Sequence, residues 1–413
     1  MQDGSGTRLR VLLASGVYPP VVGGPSAQTR LLARELMARG VDARVLTWGP
    51  ESRDAVVDGV PVRYVAAHAA ASVAGKARAY RRLYGELRGV LRRFAPHVVH
   101  SQTSSGLLPL VTGLAARAHG IPVLTKYTAD ASEEQAHLRR QGGAAGPARG
   151  GRGRTYRAAA HAAQALLFRL SARVWTTTPL FAERVKERFR LPGDRVLLLP
   201  NFVDLRPFLA GGADAPPREG SALRLLVVSR LNPIKGVEVC IEAMRHLGDL
   251  PATLRIVGEA GVEAEYARYL RRWVEVLGVG DRVAFAGAVP NERIAAEYHR
   301  ADVLLQGSYY EAFGIALAEA MAAGVPVVAT RVGGVPDVVG HGVSGILVPP
   351  GEPAAMAGAV RLLAADPGLR ERLRDGARAR ARAFEAGPCV DRLVEEYRRM
   401  AGVKRVAPPP ALH

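Results

Sequence analysis

Short runs of consecutive apolar residues alternate along the chain with longer stretches whose apolar positions recur every three or four residues. The alternation occurs twice. The first copy opens with the strand-like run Leu9 to Ala14, passes a Gly- and Pro-bearing loop from Gly16 to Pro25, and continues as a helix from Ser26 to about Ala38, stopped by Gly40. Ala43 to Trp48 reads as the next strand, and Val98 to Ser101 and Val123 to Thr125 extend the sheet. The second copy begins at Leu223 to Ser229, with a loop to Gly236, a helix over Val237 to Leu247 and a strand at Leu254 to Val257. Further strands fit Val283 to Ala286, Val303 to Leu305 and Val325 to Ala329. Strand, loop, helix and strand in that order predict a parallel α/β sheet, and two copies predict two doubly wound, Rossmann-like domains facing each other across a cleft.

Two stretches depart from this rhythm. From Lys76 to Phe94, Tyr80, Leu83, Tyr84, Leu87, Val90, Leu91 and Phe94 share one helical face, with Arg81, Arg82, Arg88, Arg92 and Arg93 beside it. Such a stripe suits either the core face of an ordinary helix or docking on anionic lipid. From Arg139 to Arg157 there are six Arg, many Gly and no acid, which reads as a mobile loop. The Gly211, Gly212, Pro216 and Pro217 cluster places the domain boundary between Asp204 and Ser221.

At 413 residues the chain is long enough for two cores, and its 48% hydrophobic content is that of a globular protein. The run Leu9 to Ala14 is too short for a signal-peptide core or a bilayer span, so the expectation is a cytoplasmic protein, with peripheral contact at the inner membrane face left open. The two cysteines, Cys240 and Cys389, have no metal-type spacing and support neither a disulfide framework nor a zinc site; both read as buried or inert thiols. His97 and His100 are the closest histidine pair, and residues three apart on a strand point to opposite faces, so no metal site is expected. The net charge of +18 favours an anionic partner: nucleic acid, phospholipid headgroups or a phosphorylated substrate. With 6% aromatics the chain has little material for the stacking platforms of a nucleic-acid binder.

The strongest chemical signal is Glu311-Ala-Phe-Gly-Ile-Ala-Leu-Ala-Glu319. Two Glu eight positions apart on one helix point about 80° apart, a poor arrangement for a shared pocket. The geometry improves if Glu311 lies in the loop before the helix, Phe313, Gly314 and Ile315 form its first turn, and Glu319 projects from its second. Amides of that first turn then hold a diphosphate, with Gly314 allowing close approach, and the carboxylates take sugar and ribose hydroxyls. Ser229-Arg230-Leu231-Asn232-Pro233-Ile234-Lys235-Gly236 follows a strand and opens a helix, placing a guanidinium and an ammonium at the same sheet edge to neutralise a leaving diphosphate. Gly23-Gly24 lies in the first strand-to-helix loop, where backbone can approach a ligand from the opposite domain. That loop has no GxGxxG fingerprint and no Walker-type pattern, which removes the main support for dehydrogenase and NTPase readings.

Together these residues resemble glycosyltransferase family 4, retaining and metal-independent enzymes of the GT-B fold. The resemblance runs through Gly23-Gly24, Pro200-Asn201-Phe202-Val203-Asp204, Arg230 with Lys235, Val257-Gly258-Glu259, Ala301-Asp302, Glu311 to Glu319, and Gly333-Gly334. It implies a first, acceptor-side domain over 1–205, a nucleotide-sugar domain over 206–386, a helix over 387–402 returning to the first domain, and a tail over 403–413. It implies that Arg230 and Lys235 bind the diphosphate, Glu311 the donor sugar, Glu319 the ribose, and amides near Gly314 and Ile315 the sugar or phosphate. Gly23, Gly24, Asn201, Gly258 and Phe313 complete the donor set. No metal or other cofactor is implied beyond the nucleotide sugar itself, with a UDP-linked hexose or N-acetylhexosamine as donor and a lipid-linked glycan, a phospholipid or a small natural product as acceptor. A sugar-nucleotide epimerase on the same scaffold is the nearest enzymatic alternative. Two departures stand out. Where many relatives carry a His, this chain reads Lys126-Tyr127-Thr128-Ala129-Asp130, making Lys126, Tyr127 and Asp130 candidate sugar or acceptor contacts; and Gln306-Gly307-Ser308 replaces the common Pro-Ser, a change that a loop tolerates.

Overall fold

The computed structural model describes residues 8–19, 24–66, 73–104, 107–127, 151–209, 222–259 and 264–403. Gly23, Asp130, most of the boundary segment, residues 139–150 of the Arg-rich stretch and nearly all of the tail lie outside them.

The first unit runs β1 (Arg10–Ala14), α1 (Gly24–Ala38), β2 (Asp42–Gly49), β3 (Arg53–Val57), β4 (Val60–Ala66), α2 (Val73–Phe94), β5 (Val98–Ser101), α3 (Leu107–Ala118), β6 (Val123–Tyr127), α4 (Gly151–Leu170), β7 (Arg173–Thr176), α5 (Pro179–Phe189) and β8 (Val196–Leu198). Its sheet has the order β3-β4-β2-β1-β5-β6-β7-β8, parallel except for the β3–β4 pair. The second unit runs α6 (Arg206–Leu209), β9 (Leu223–Val228), α7 (Val237–His246), β10 (Ala252–Val257), α8 (Ala264–Val276), β11 (Val283–Gly287), α9 (Ile294–His299), β12 (Val303–Gln306), α10 (Ile315–Ala322), β13 (Val327–Thr330), α11 (Val335–Val338), β14 (Gly345–Val348), α12 (Pro353–Ala365) and α13 (Pro367–Ala381). Its sheet is parallel in the order β11-β10-β9-β12-β13-β14. A last helix, α14, spans Ala386–Ala401.

Parallel strands covered on both faces need apolar middles, and the central ones have them: Val11, Leu12 and Leu13 of β1 and Val303, Leu304 and Leu305 of β12 are all almost wholly buried. In the second unit α7, α8 and α12 cover one face, and α6, α9, α10 and α13 the other. In the first, α1 and α14 share one core while α2 and α3 share another. The stripe of α2 is spent on that packing, since Leu83, Leu87, Leu91 and Phe94 are buried whereas Tyr80 and the Arg residues beside them are exposed. Both thiols are buried, and burial pushes Cys240 up to about 12 and Cys389 up to about 11.

One expectation needs correction. The Arg-rich stretch is not a loop to Arg157, because α4 begins at Gly151. The apolar repeat further along, which buries Leu167 and Phe168, carries the helix back through its polar start.

The two units are joined twice. Val203, just before α6, pairs with Glu385, just before α14, as an isolated parallel bridge, with Val203 N donating to Phe384 O at 2.7 Å and Ala386 N to Val203 O at 3.0 Å. Among the described residues no helix is long and apolar enough to cross a membrane.

Candidate active site

In a doubly wound sheet, ligands bind beyond the carboxyl ends of the strands where the strand order reverses. In the second unit that point lies between β9 and β12. The loop after β9 supplies Arg230, which is exposed, and Lys235, in a short 3₁₀ turn that Asn232 caps by accepting from Ile234 N at 2.9 Å. The loop after β12 supplies Glu311. Lys235 Nζ donates to Glu311 Oε2 at 2.7 Å, and Gln306 Nε2 donates to the same oxygen at 2.9 Å. Burial works to raise the Glu311 pKa, but the Lys235 charge, its hydrogen bond and the amides of Phe313 and Ala312 outweigh it, so the carboxyl is held below its ordinary value. Glu311 is therefore an anion placed by its partners.

Helix α10 begins immediately afterwards. Gly314 precedes it at φ 88°, a conformation that favours glycine, and no side chain caps the helix. The Gly314 carbonyl takes the amides of Leu317 and Ala318, so those of Ile315 and Ala316 stand at the helix start with no intrahelical acceptor. This is an anion-ready terminus beside a fixed ammonium. Phe313 is buried edge-on against Phe384, which braces the turn. Glu319 projects from the second turn, where Tyr298 donates to its Oε2 at 2.7 Å. Burial raises the Glu319 carboxyl to about 7, with the Tyr298 hydrogen bond offsetting only part of the shift.

Two glycine features complete the frame. Gly258, after β10, has φ 139°, and a Cβ there would lie 1.8 Å from Ser229 O; its role in this structure is to seat one loop on the loop that carries Arg230. Gly334 N donates to Glu311 O at 2.9 Å, tying the loop after β13 to the site.

The first unit meets this edge with its own. Gly24, at the start of α1, lies against Ile315 Cδ1, within 3.5 Å of where a Cβ would stand. Leu180 N donates to Asp337 Oδ2 at 3.4 Å, and Phe181 packs edge-on to Tyr310. Asn201 contributes a buried Oδ1 with no hydrogen-bond partner.

Sequence reasoning thus anticipates the loop position of Glu311 and the placing of Glu319, but the helix starts at Ile315, so Phe313 and Gly314 precede its first turn rather than form it. Lys126 and Tyr127 are buried rather than displayed: Tyr127 packs among Phe168, Phe181 and Phe189, and the Lys126 ammonium lies 4.0 Å over the Trp175 ring, where burial brings it down to about 7. The sequence alone marks neither Gln306 nor Tyr298 as a site residue. Gln306 is no loop residue but the end of β12, and the one available signal was a polar side chain closing an apolar run.

Comparison with known proteins agrees with this architecture. Residues 23–201 match the pattern described as a glycosyl transferase 4-like domain, and residues 215–380 match glycosyl transferases group 1. The chain is 30% identical over 393 residues to D-inositol 3-phosphate glycosyltransferase 1 of Catenulispora acidiphila, covering 91% of this chain and 90% of that one. It is 35% identical over 252 residues to the D-inositol 3-phosphate glycosyltransferase of Acidothermus cellulolyticus, covering 58% of this chain and 55% of that protein. Several such matches therefore span only about half the length of the curated relatives. Among solved structures, sucrose-phosphate synthase from Thermosynechococcus elongatus superposes with a TM-score of 0.80 at 22% identity, over 96% of this chain and 100% of that one. HepE from Anabaena, solved in complex with UDP-glucose, gives 0.73 at 19%, over 94% and 99%. With a full-length relative at this identity and both halves matched, the chain belongs to glycosyltransferase family 4 and has the GT-B fold.

Proposed function

We propose that the protein transfers a hexosyl or N-acetylhexosaminyl unit from a UDP-linked donor to a hydroxyl of a small acceptor, with retention at the anomeric carbon. The observation that carries the reading is the convergence of Lys235, the anionic Glu311 and the uncapped start of α10 at one sheet edge. In this scheme the bond between the sugar's anomeric carbon and the diphosphate oxygen breaks, and the acceptor oxygen forms its bond on the same face. A leaving phosphate oxygen takes the acceptor proton. Arg230, Lys235 and the α10 amides bear the growing negative charge, the kind of preorganised electrostatic support that lowers such barriers most. Glu311 orients the sugar and Glu319 the ribose, while the first domain presents the acceptor.

UDP is favoured by the HepE complex, and a small, phosphorylated cyclitol is favoured as acceptor by the names of the relatives. Lipid acceptors have less support, because the apolar stripe of α2 is already packed. We place the enzyme in the cytoplasm and assign it no metal, the two cations and the helix terminus serving in its place.

The test is acceptor-dependent release of UDP from UDP-glucose and UDP-N-acetylglucosamine, with inositol phosphates among the acceptors and EDTA present. Release that rises with acceptor and withstands EDTA is expected. Conversion of the donor to its epimer without acceptor would replace transfer by isomerisation, and loss reversed by Mg²⁺ would place a metal in the site.

A further inference from the structure

Gln306 closes a strand whose other three positions, Val303, Leu304 and Leu305, are buried aliphatic side chains. An aliphatic residue would continue that pattern; an amide must be accounted for. Its orientation is set by chemistry, since a carboxylate only accepts. The atom 2.9 Å from Glu311 Oε2 is therefore Nε2, which also donates to Ser308 Oγ at 3.2 Å. The opposite end, Oε1, is buried and accepts no hydrogen bond. It lies 3.5 Å from the point a Cβ would occupy at Gly314, a point that the Leu317 side chain approaches to 2.7 Å, so Oε1 stands beside the glycine turn that opens α10. A buried acceptor without a donor is destabilising, and one kept on the side chain that holds Glu311, beside the uncapped start of α10, is placed for a group that the protein does not supply.

We propose that Gln306 reads the transferred sugar: Oε1 accepts from a donor group on that sugar, a ring hydroxyl or an acetamido N–H, while Nε2 holds Glu311 in position. The inference rests on the reading of this edge as a nucleotide-sugar site. It makes Gln306 a specificity residue, because a site built to accept from a substrate O–H or N–H rejects the analogue that lacks it.

The test uses the full chain with Gln306→Leu and the size-conserving Gln306→Met. Calorimetry measures affinity for UDP alone, and kcat/KM is measured for UDP-glucose, UDP-N-acetylglucosamine and a set of singly deoxygenated UDP-glucoses. UDP affinity should stay within about twofold of wild type, which also reports folding, while kcat/KM for the preferred donor falls about 10- to 100-fold. One deoxy donor should lose a similar factor with wild type and nothing further with the variants, identifying a ring hydroxyl. If instead the wild-type contrast between UDP-N-acetylglucosamine and UDP-glucose vanishes in the variants, the acetamido N–H is the partner. Equal losses on every donor in wild type and variants, or UDP affinity falling in parallel, would show that the amide only braces the fold and would overturn the proposal. Should wild type bind neither UDP nor any UDP-sugar, the nucleotide-sugar reading itself fails and takes the role of Gln306 with it.

Discussion

Glu311 and Glu319 stand eight positions apart and are held in opposite protonation preferences. Burial presses on both, but only Glu311 has an ammonium and backbone amides to answer it. Lys235→Ala should therefore lower kcat/KM about 10²- to 10³-fold, on the order of 3–4 kcal/mol, by removing support for the leaving diphosphate and leaving Glu311 without its counter-charge. Because part of that loss is the orphaned carboxylate, adding Glu311→Gln to Lys235→Ala should lose less than the sum of the single changes. Strict additivity in this double-mutant cycle would mean that the two groups act independently. Glu319 gives a pH dependence. Its carboxyl, raised from 4.5 to about 7 in the folded chain, binds protons that the unfolded chain has already released across that window. Stability accordingly falls as pH rises from about 4.5 to 7, and stays reduced above it. Glu319→Gln keeps an acceptor for Tyr298 without the charge, so it should raise the unfolding temperature at pH 8, by a free energy of up to about 3 kcal/mol, and change little at pH 4. Thermal unfolding of both proteins at the two pH values decides it.

At the scale of elements, α2 shows how one amphipathic pattern supports two readings until its neighbours are known. Leu87 is fully buried against the first sheet, so Leu87→Ala should destabilise the protein by about 2–4 kcal/mol. If the stripe faced lipid instead, denaturant titration would find stability unchanged and vesicle binding reduced. What the sequence made legible follows from locality. Central strands such as β1, β9 and β12 carry runs of three or four adjacent apolar residues, which are legible directly. The edge strand β3 is not, because Arg53-Asp54-Ala55-Val56-Val57 opens on two charged residues and owes its strand to pairing with β4. Nor is β14, whose first residue is Gly345 and which is fixed by its register against β13. The same division holds in the site. Glu311, Gly314 and Glu319 belong to one local motif, whereas the meeting of Gln306 with Glu311, of Tyr298 with Glu319 and of Lys126 with Trp175 depends on how separate elements pack.

At the scale of the whole molecule, both crossings between the units run side by side, Val203 bonded to the backbone around Glu385. Relative motion of the units must bend the two segments together. The helix that follows the second crossing belongs physically to the first unit. Arg39 joins Asp391 at 2.6 Å, Tyr397 is hydrogen-bonded to His100 across 297 positions of sequence, and Ala386, Cys389, Val390, Leu393 and Val394 complete the core around α1. Tyr397→Ala should consequently destabilise the first unit, by about 3–5 kcal/mol, while leaving the unfolding of the second unchanged, which calorimetry with and without a second-unit ligand such as UDP can separate. The arrangement also sets an order on synthesis. A ribosome makes β1 to β8 early, but the apolar face between β1 and α1 is covered only after some 200 further residues have emerged, long after a unit of this size would otherwise close. The unit made first is finished last, and until α14 emerges its apolar face stays open to aggregation, for longer the slower the ribosome runs.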